Sequence, residues 1–168
     1  LFLKQNKNVS AALFMGISIL TKLIPVLVLP LFIYRLGLKK SVQFVGMTIG
    51  VVILGFVPFT NVGFLTNYSH SVGLWFSNFE FNASLYYLIR EVGYLYKGYN
   101  IIYTIGKITP WFLVGMVILF TLWPKRNASD HLWRRAMGLL AIYLAIATTV
   151  HPWYLIQLVF LSVLTPYR

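Results

Sequence analysis

The chain contains no cysteine and only three acidic residues among its 168 positions. Without cysteine it cannot be a disulfide-stabilised secreted scaffold. Charged residues of both signs make up 10% of the sequence, against about 25% in soluble domains. So little charge cannot cover the surface of a soluble globule of this length, which excludes a soluble enzyme. A disordered tail is excluded as well, because such tails are rich in charge and poor in apolar residues.

Apolar residues dominate instead: they make up 59% of the chain, and the mean hydropathy is +0.77. About 20 apolar residues are enough to cross a bilayer as a helix. Apolar stretches occupy residues 9–34, 42–60, 101–123, 133–150 and 153–165. The pattern predicts an all-α fold, a polytopic transmembrane helix bundle with about four to six membrane segments. Residues 1–168 are expected to form a single transmembrane region.

The 14 basic residues give a net charge of +11 and lie in clusters between the apolar stretches. This clustering is typical of multi-pass membrane proteins, whose cytoplasmic loops are rich in lysine and arginine, and it argues against nucleic-acid binding. Residues 61–100 and His151 are therefore predicted to lie outside. The clusters predicted to be cytoplasmic are Arg35, Lys39 and Lys40, and then Lys125, Arg126, Arg134 and Arg135.

The first apolar stretch, residues 9–34, is interrupted by Lys22 and Pro25. It is either one span or a short hairpin that turns at Thr21 and Lys22, with arms of about 12 residues that are too short to cross. A buried ammonium needs a partner or a wet cavity, so Lys22 is a candidate ligand for an anionic group such as a lipid phosphate. The alternative is that Lys22 extends to the membrane interface at the turn.

The outer segment, residues 61–100, is too long for a plain loop and too apolar for a disordered one. Asn82 is predicted to cap a helix that ends near Lys97. Asn82, Tyr86, Arg90 and Lys97 would share one face of that helix, and apolar residues would occupy the other. We expect this amphipathic helix to lie in the external membrane interface.

Several outer residues suit substrate binding, and each has a structural alternative. Arg90 suits a phosphate, or it contacts headgroups or pairs with Glu80. Glu80 is a candidate general base or hydrogen-bond acceptor for sugar hydroxyls, or else a structural partner of Arg90 or of a neighbouring backbone amide. His151 is a candidate hydrogen-bond donor to phosphate or a proton shuttle. Trp153 and Tyr154 would stack on a sugar or belong to an aromatic membrane belt.

Some chemistry is absent. There is no glycine-rich phosphate loop and no Cys/His metal set. The sequence indicates no cofactor, although it leaves a divalent metal open. A Ser-His-Asp set is not expected, because the lone aspartate, Asp130, is predicted to be cytoplasmic and His151 external.

Three segments resemble known motifs. Residues 16–25, GISILTKLIP, resemble the G-x-x-x-L-T-K-x-x-P segment of GT-C-superfamily glycosyltransferases. Residues 79–90, FEFNASLYYLIR, and residues 151–155, HPWYL, are similar to segments of bacterial polyprenol-phosphate-dependent mannosyltransferases. Their order and spacing fit too. The resemblance implies that the chain is an internal or C-terminal part of a larger GT-C-like membrane domain.

The resemblance further implies a multi-pass protein of the bacterial inner membrane. It would move a sugar, first of all mannose, from a polyprenyl-phosphate donor to a glycan or glycolipid acceptor at the outer face. Lys22, Arg90 and His151 would bind phosphate. The family's catalytic aspartate, in its first external loop, matches no residue here, so the catalytic residue is unassigned. Residues expected to shape the pocket are Glu80, Asn82, Tyr86, Trp153 and Tyr154.

Two other classes fit the same sequence. A transporter or lipid flippase also uses broken helices and charges at mid-membrane. A non-catalytic membrane scaffold would tolerate changes at Lys22 and His151. A transferase differs from both because it releases free polyprenyl phosphate.

Overall fold

The computed structural model describes residues 7–123 and 132–165, without the side chains of residues 34, 35 and 77. This part of the chain is all-α, as predicted, and contains no β-strand. Lys125, Arg126 and Asp130, on which the predicted orientation partly rests, lie outside the described residues. The α-helices are α1 (Asn8–Thr21), α2 (Ile33–Phe56), α3 (Phe64–Asn78), α4 (Leu85–Lys97), α5 (Ile102–Leu122), α6 (Leu132–Ile146) and α7 (Leu155–Leu164), with 3₁₀ helices at Ile24–Phe32, Val57–Phe59 and Pro152–Tyr154.

The first apolar stretch is not one continuous helix. Helix α1 ends at Thr21, and the backbone of Lys22 is extended, with φ −158° and ψ 128°. A 3₁₀ helix follows that contains Pro25 and Pro30, whose missing amide hydrogens interrupt an α-helical ladder. The 14 residues of α1 measure about 21 Å at the α-helical rise, less than the bilayer core of about 30 Å. The break falls at the position where the sequence suggested a turn.

The core forms where α1 and the first 3₁₀ helix pack against α2 and α6. Gly16 makes the approach of α1 to α2 possible, because a Cβ atom there would stand 2.6 Å from Cγ1 of Val51. The rings of Phe32 and Phe44 pack within this core with their centroids 5.0 Å apart and their planes tilted by 47°. The buried residues of the cluster are Ala12, Ile19, Leu29, Leu31, Phe32, Phe44, Leu132, Ala136 and Leu139.

Within residues 7–123 and 132–165, two helical segments are long and apolar enough to cross a membrane: Leu36–Phe59 and Ile102–Leu122. In the most apolar 18 residues of each segment, only 11% and 22% respectively are buried. Neither segment therefore resembles the covered core helix of a soluble protein. Helix α5 closely matches the predicted stretch 101–123. Helix α6 ends at Ile146, four residues before the predicted end, because residues 147–150 leave the helix to pair with the outer segment. The larger number of membrane segments stays a prediction.

Arg135, predicted to be a cytoplasmic cation, is buried against the end of α5. Its guanidinium donates hydrogen bonds to the carbonyl oxygens of Phe120 (2.7 Å) and Trp123 (2.7 Å). The last carbonyl groups of a helix lack intrahelical partners, so Arg135 satisfies two of them. The side chain therefore fastens α6 to α5 as well as carrying charge.

Residues 61–100, predicted to lie outside, contain two helices, of which the sequence predicted one. Helix α4 ends at Lys97 as predicted, where Gly98 takes the left-handed conformation at φ +73°. Helix α3 was missed; it packs against α5, and its partly buried side chains include Phe64, Val72 and Phe76. The predicted apolar face of α4 is exposed in the structure, and its members are Leu85, Leu88, Ile89, Val92 and Tyr96.

Candidate functional site

Residues 79–84, between α3 and α4, lie across the end of α6 in extended pairing. The amide of Phe81 donates to the carbonyl oxygen of Thr148 at 2.9 Å, and the amide of Val150 donates to that of Phe81 at 2.7 Å. The hydroxyl of Thr149 donates to the carbonyl oxygen of Phe79 at 2.8 Å. This parallel bridge holds the second resembling motif directly beside the third.

Asn82 is buried and caps α6. Its amide nitrogen donates to the carbonyl oxygens of Leu144 (2.8 Å) and Ala147 (2.5 Å), which lack partners at the end of α6. The predicted capping of α4 is wrong, since α4 begins at Leu85 after an N-cap, Ser84, whose side chain makes no capping bond. The hydroxyl of Ser84 lies 2.7 Å from Oδ1 of Asn82 and 2.8 Å from the carbonyl oxygen of Ala145. Asn82 thus positions the second motif, residues 79–90, against the end of α6.

Glu80 and Arg90 form the ion pair that the sequence suggested as an alternative to substrate binding. Nη1 of Arg90 lies 2.8 Å from Oε2 of Glu80, and Nη2 lies 2.6 Å from Oε1 of Glu91. The amide of Asn100 donates to the other oxygen of Glu80. The guanidinium also covers the ring of Tyr87, with 4.4 Å from Cζ to the centroid. Arg90 is therefore held on several sides.

This network shifts the pKa values of its members. Burial raises the pKa of the Glu80 carboxyl, but hydrogen bonds from Asn100 and Arg90, together with the nearby Tyr86 hydroxyl and the positive charge of Arg90, outweigh burial and hold the pKa below its usual 4.5. The hydrogen bonds to Glu80 and Glu91 raise the pKa of Arg90. At neutral pH Glu80 is therefore a stable carboxylate, which makes it a poor proton acceptor and a good structural partner.

Tyr86 lies fully buried beneath this network. Burial, followed by the neighbouring Glu80 carboxylate, raises the pKa of its phenol. Within the described residues its hydroxyl has no hydrogen-bond partner of normal geometry, although it lies close enough to Glu80 for each to affect the other's pKa. Tyr86, which the sequence expected to shape the pocket, is buried and does not line the pocket described below.

A second cluster joins Lys22 to the third motif. The Lys22 ammonium lies 3.1 Å from the ring centroid of Tyr154. His151 stacks on Trp153, with ring centroids 4.4 Å apart and planes at 10°, and meets Tyr154 edge-on at 5.6 Å. Phe81 completes this aromatic cluster at 5.2 Å from His151. The cluster is half-exposed, and its histidine and lysine are partly accessible.

The break after α1 explains how Lys22 reaches Tyr154. The extended backbone of Lys22 ends α1 there, and Pro152, at the first position of a 3₁₀ helix, turns the chain after His151. Pro152 has no amide hydrogen to donate and fixes its own φ, which suits the first turn of a helix. The amide of Tyr154 closes the turn on the carbonyl oxygen of His151 at 2.9 Å.

A pocket of about 510 Å³ lies between the second motif, α6 and the start of α7. Asn82, Ser84, Tyr87 and His151 contribute polar groups to a wall that is otherwise apolar. The sequence identified Asn82 and His151 but missed Ser84 and Tyr87. Both lie within the resembling motif, so they could have been found as its polar positions. Arg90 does not line this pocket.

Of the predicted site residues, the structure brings Lys22, His151, Trp153 and Tyr154 into one cluster. It gathers Glu80, Tyr86 and Arg90 into a separate network, and Asn82 links the second motif to α6. The described residues contain no group of three or more His, Cys, Asp or Glu side chains placed to hold a metal ion. The chain matches no known protein family, no curated protein and no solved structure.

Proposed function

We propose that this chain belongs to an integral-membrane hexosyltransferase. It would transfer a sugar, mannose first among the candidates, from a polyprenyl-phosphate donor to a hydroxyl of a glycan or glycolipid acceptor. The reaction would take place at the outer face of a bacterial inner membrane, as in the GT-C mannosyltransferases that the three motifs resemble.

One observation carries the proposal: all three resembling motifs meet in space. Lys22 of the first motif contacts Tyr154 of the third, and Phe81 of the second contacts His151 of the third. The motifs are far apart in the sequence, so a scaffold would have no need to bring them together. Fold-level likeness alone would not support a function, so the proposal rests on the meeting of these residues in one place.

The membrane location is supported by the exposed apolar surface. The two long apolar segments are mostly uncovered, and the apolar face of α4 is also exposed. Exposed apolar areas of this extent mark contact with lipid or with other protein. A multi-pass arrangement with α4 at the outer interface accounts for these surfaces together.

The proposed reaction is an inverting displacement at the anomeric carbon. An acceptor hydroxyl oxygen forms the new bond to that carbon, and its proton passes to a carboxylate that matches no residue of this chain. The bond between the anomeric carbon and the phosphate oxygen breaks, and its electron pair leaves with polyprenyl phosphate. Lys22 would stabilise the charge that develops on the phosphate. His151 would donate a hydrogen bond to the same group.

Arg90 has a different part in this mechanism from the one that the sequence suggested. Its guanidinium already pairs with two carboxylates, so a phosphate would have to displace them. We assign Arg90 and Glu80 to positioning of the second motif, Trp153 to contact with the sugar, and Tyr154 to the surroundings of the Lys22 ammonium.

The test is a cleavage assay with the whole protein in membranes. Polyprenyl-phosphate mannose labelled in both the sugar and the lipid is supplied together with membrane glycolipid acceptors. Release of free polyprenyl phosphate with transfer of labelled sugar supports the proposal. Intact donor that appears in the opposite leaflet would instead identify a transporter or flippase. If neither transfer nor transport were observed, the scaffold would be the remaining class.

The transporter has one structural observation in its favour. The helix break at Lys22 places an extended backbone and a cation next to each other, as in transporters that bind substrate at discontinuous helices. Only the fate of the donor sugar separates the two classes, which is why both labels are needed.

A further inference from the structure

A second cavity lies on the other side of α7 from the His151 pocket. This apolar groove of about 590 Å³ runs between α1, the first 3₁₀ helix, α6 and α7. Its volume is within the range of about 300–1,000 Å³ of sites that bury most of a small ligand. Apart from Ser18, Gln157 and the indole of Trp133, its wall is apolar, and the larger side chains are Phe14, Met15, Phe32, Phe44 and Phe160.

Helix α7 is the wall between the two cavities. Leu155 and Leu158 face the His151 pocket, whereas Ile156 and Phe160 face the apolar groove. Tyr154 immediately precedes these residues and ends the 3₁₀ turn that leads into α7. The ring that covers Lys22 is thus attached to the element that separates groove from pocket.

Lys22 stands at the corresponding point of the opposite wall. The groove-lining residues Ser18 and Ile24 flank it on the two sides of the helix break. Lys22 does not line the groove itself, but its contact with Tyr154 connects two walls of the groove, at Ser18 and Ile24 on one side and Ile156 on the other, to the His151 cluster. The charge therefore lies beside the groove, where the headgroup of a lipid whose chain occupies the groove could reach it.

We propose that the groove holds the hydrocarbon chain of a lipid monophosphate, and that Tyr154 covers the Lys22 ammonium until the phosphate displaces the ring. That the lipid is a prenyl lipid rests on the proposed function. The binding groove and the covering of Lys22 by the Tyr154 ring rest on the lining residues and the contact described above. Commitment to an anionic lipid follows from charge, because the cation of Lys22 lies between Ser18 and Ile24, two residues that line the largely apolar groove.

The Tyr154 ring suits a temporary partner. A lysine away from water needs a compensating group, and the two carboxylates that the structure describes, Glu80 and Glu91, both pair with Arg90. An aromatic face attracts an ammonium, but only weakly compared with a phosphate anion. The lipid headgroup would thus replace the ring without breaking an ion pair.

The experiment measures binding, not turnover. The whole protein is placed in phosphatidylcholine nanodiscs, and the dissociation constant of a labelled C20 prenyl monophosphate is measured, with the C20 prenyl alcohol as the uncharged comparison. We expect Tyr154→Leu to bind the monophosphate about twofold to thirtyfold more tightly, because the cation–π contact no longer has to be broken. Binding of the alcohol should not change.

Tyr103 provides a matched control, because its ring lies 4.2 Å from the ammonium of Lys107 on α5, away from the groove. Tyr103→Leu removes the same kind of contact and should leave binding of the monophosphate unchanged. Tyr154→Met is a second variant in case Tyr154→Leu does not fold. Unchanged or weaker binding by a folded Tyr154 variant would overturn the cover.

The groove is tested separately by filling it. Ala11 lines the groove, and Ala11→Phe should weaken monophosphate binding about fivefold or more, the cost of overfilling a packed site. Wild-type affinity in a folded Ala11→Phe protein would show that the chain lies elsewhere. If the Tyr154 and Ala11 variants change monophosphate binding as expected but the wild type transfers no sugar, only the proposed function is refuted. If the wild type transfers sugar but the variants bind the monophosphate normally, only this inference is refuted.

Discussion

Lys22 and Arg90 were both expected to bind phosphate, but the structure balances their charges in different ways. Arg90 donates to two carboxylates and covers the ring of Tyr87. Lys22 lies over the ring of Tyr154, and neither carboxylate of the described residues pairs with it. A cation that is already neutralised holds structure together, whereas one that rests on a ring can still receive an anion.

The same difference separates the surroundings of the two cations. Around Arg90, residues 79–84 are fixed by hydrogen bonds to α6 and to Asn100. Around Lys22, the contacts are between rings, His151 on Trp153 and Tyr154. Hydrogen-bonded networks rigidify, so we expect changes near Arg90 to alter stability and changes near Lys22 to alter binding and turnover.

The largest effect is expected from Lys22→Met. Loss of one preorganised charge at a reacting group typically lowers turnover about 100- to 1,000-fold, and the unfolding temperature should stay near that of the wild type. Turnover is measured as release of polyprenyl phosphate by the membrane-inserted protein, and stability is measured by thermal unfolding. Lys107→Met, which removes a cation over a ring on α5, is the control. Normal turnover in Lys22→Met would contradict the assignment and favour a scaffold.

Asn82→Leu should give the largest loss of stability. It leaves the carbonyl oxygens of Leu144 and Ala147 without their donor, and unsatisfied buried groups cost about 1–3 kcal/mol. We expect about 2–3 kcal/mol in the free energy of unfolding, measured by denaturation in micelles. Asn78→Leu, at an exposed position, serves as the control. Equal stability of both variants would show that α6 does not depend on this cap.

Glu80→Gln should remove a pH dependence of stability. The pKa of Glu80 is held below its unfolded value of 4.5, so its stabilisation is present above pH 4.5 and is lost as the pH falls through the folded pKa. The wild type should lose about 1 kcal/mol over that window because its hydrogen bonds are to a charged group. Thermal unfolding from neutral to acidic pH measures this.

The comparison variant is Glu91→Gln. Glu91 also pairs with Arg90, but its side chain is 59% exposed, and exposed pairs contribute little. Glu91→Gln should therefore keep most of the wild-type pH dependence. If it abolished that dependence while Glu80→Gln did not, the roles of the two carboxylates would be reversed.

The smallest effect is expected from Tyr154→Phe. The ring that covers Lys22 is retained and only the hydroxyl is lost, so binding of the prenyl monophosphate should stay within about twofold of the wild type. The same nanodisc titration measures it. A large change would mean that the hydroxyl, and not the ring, governs access to Lys22.

Much of the fold could be predicted from apolar periodicity and helix-stop signals. Residues 101–123 gave α5 almost to the residue, and Gly98 ends α4 where Lys97 was predicted to be last. Helix α3 was missed because polar residues such as Asn67, Ser69 and His70 interrupt its apolar stripe.

The sequence-based prediction of the site was limited by contacts between distant residues. Nothing local indicates that the Asn82 amide turns back to α6 or that Arg135 caps α5, because each interaction depends on where another helix ends. The Glu80–Arg90 pair could be predicted from the sequence, because only ten positions separate its members. The contact between Lys22 and Tyr154 could not be predicted, although both residues were named as site residues.

The extended bridge between the outer segment and the end of α6 affects how the protein is made. The acceptors of the Asn82 amide lie 62 and 65 positions further along the chain and are synthesised after α4 and α5. Contacts between residues so far apart form late, because a long loop has to close first. Helix α4 would therefore form before the Asn82 amide that precedes it has its acceptors, and the arrival of α6 would satisfy that amide and the last carbonyl groups of α6 at once.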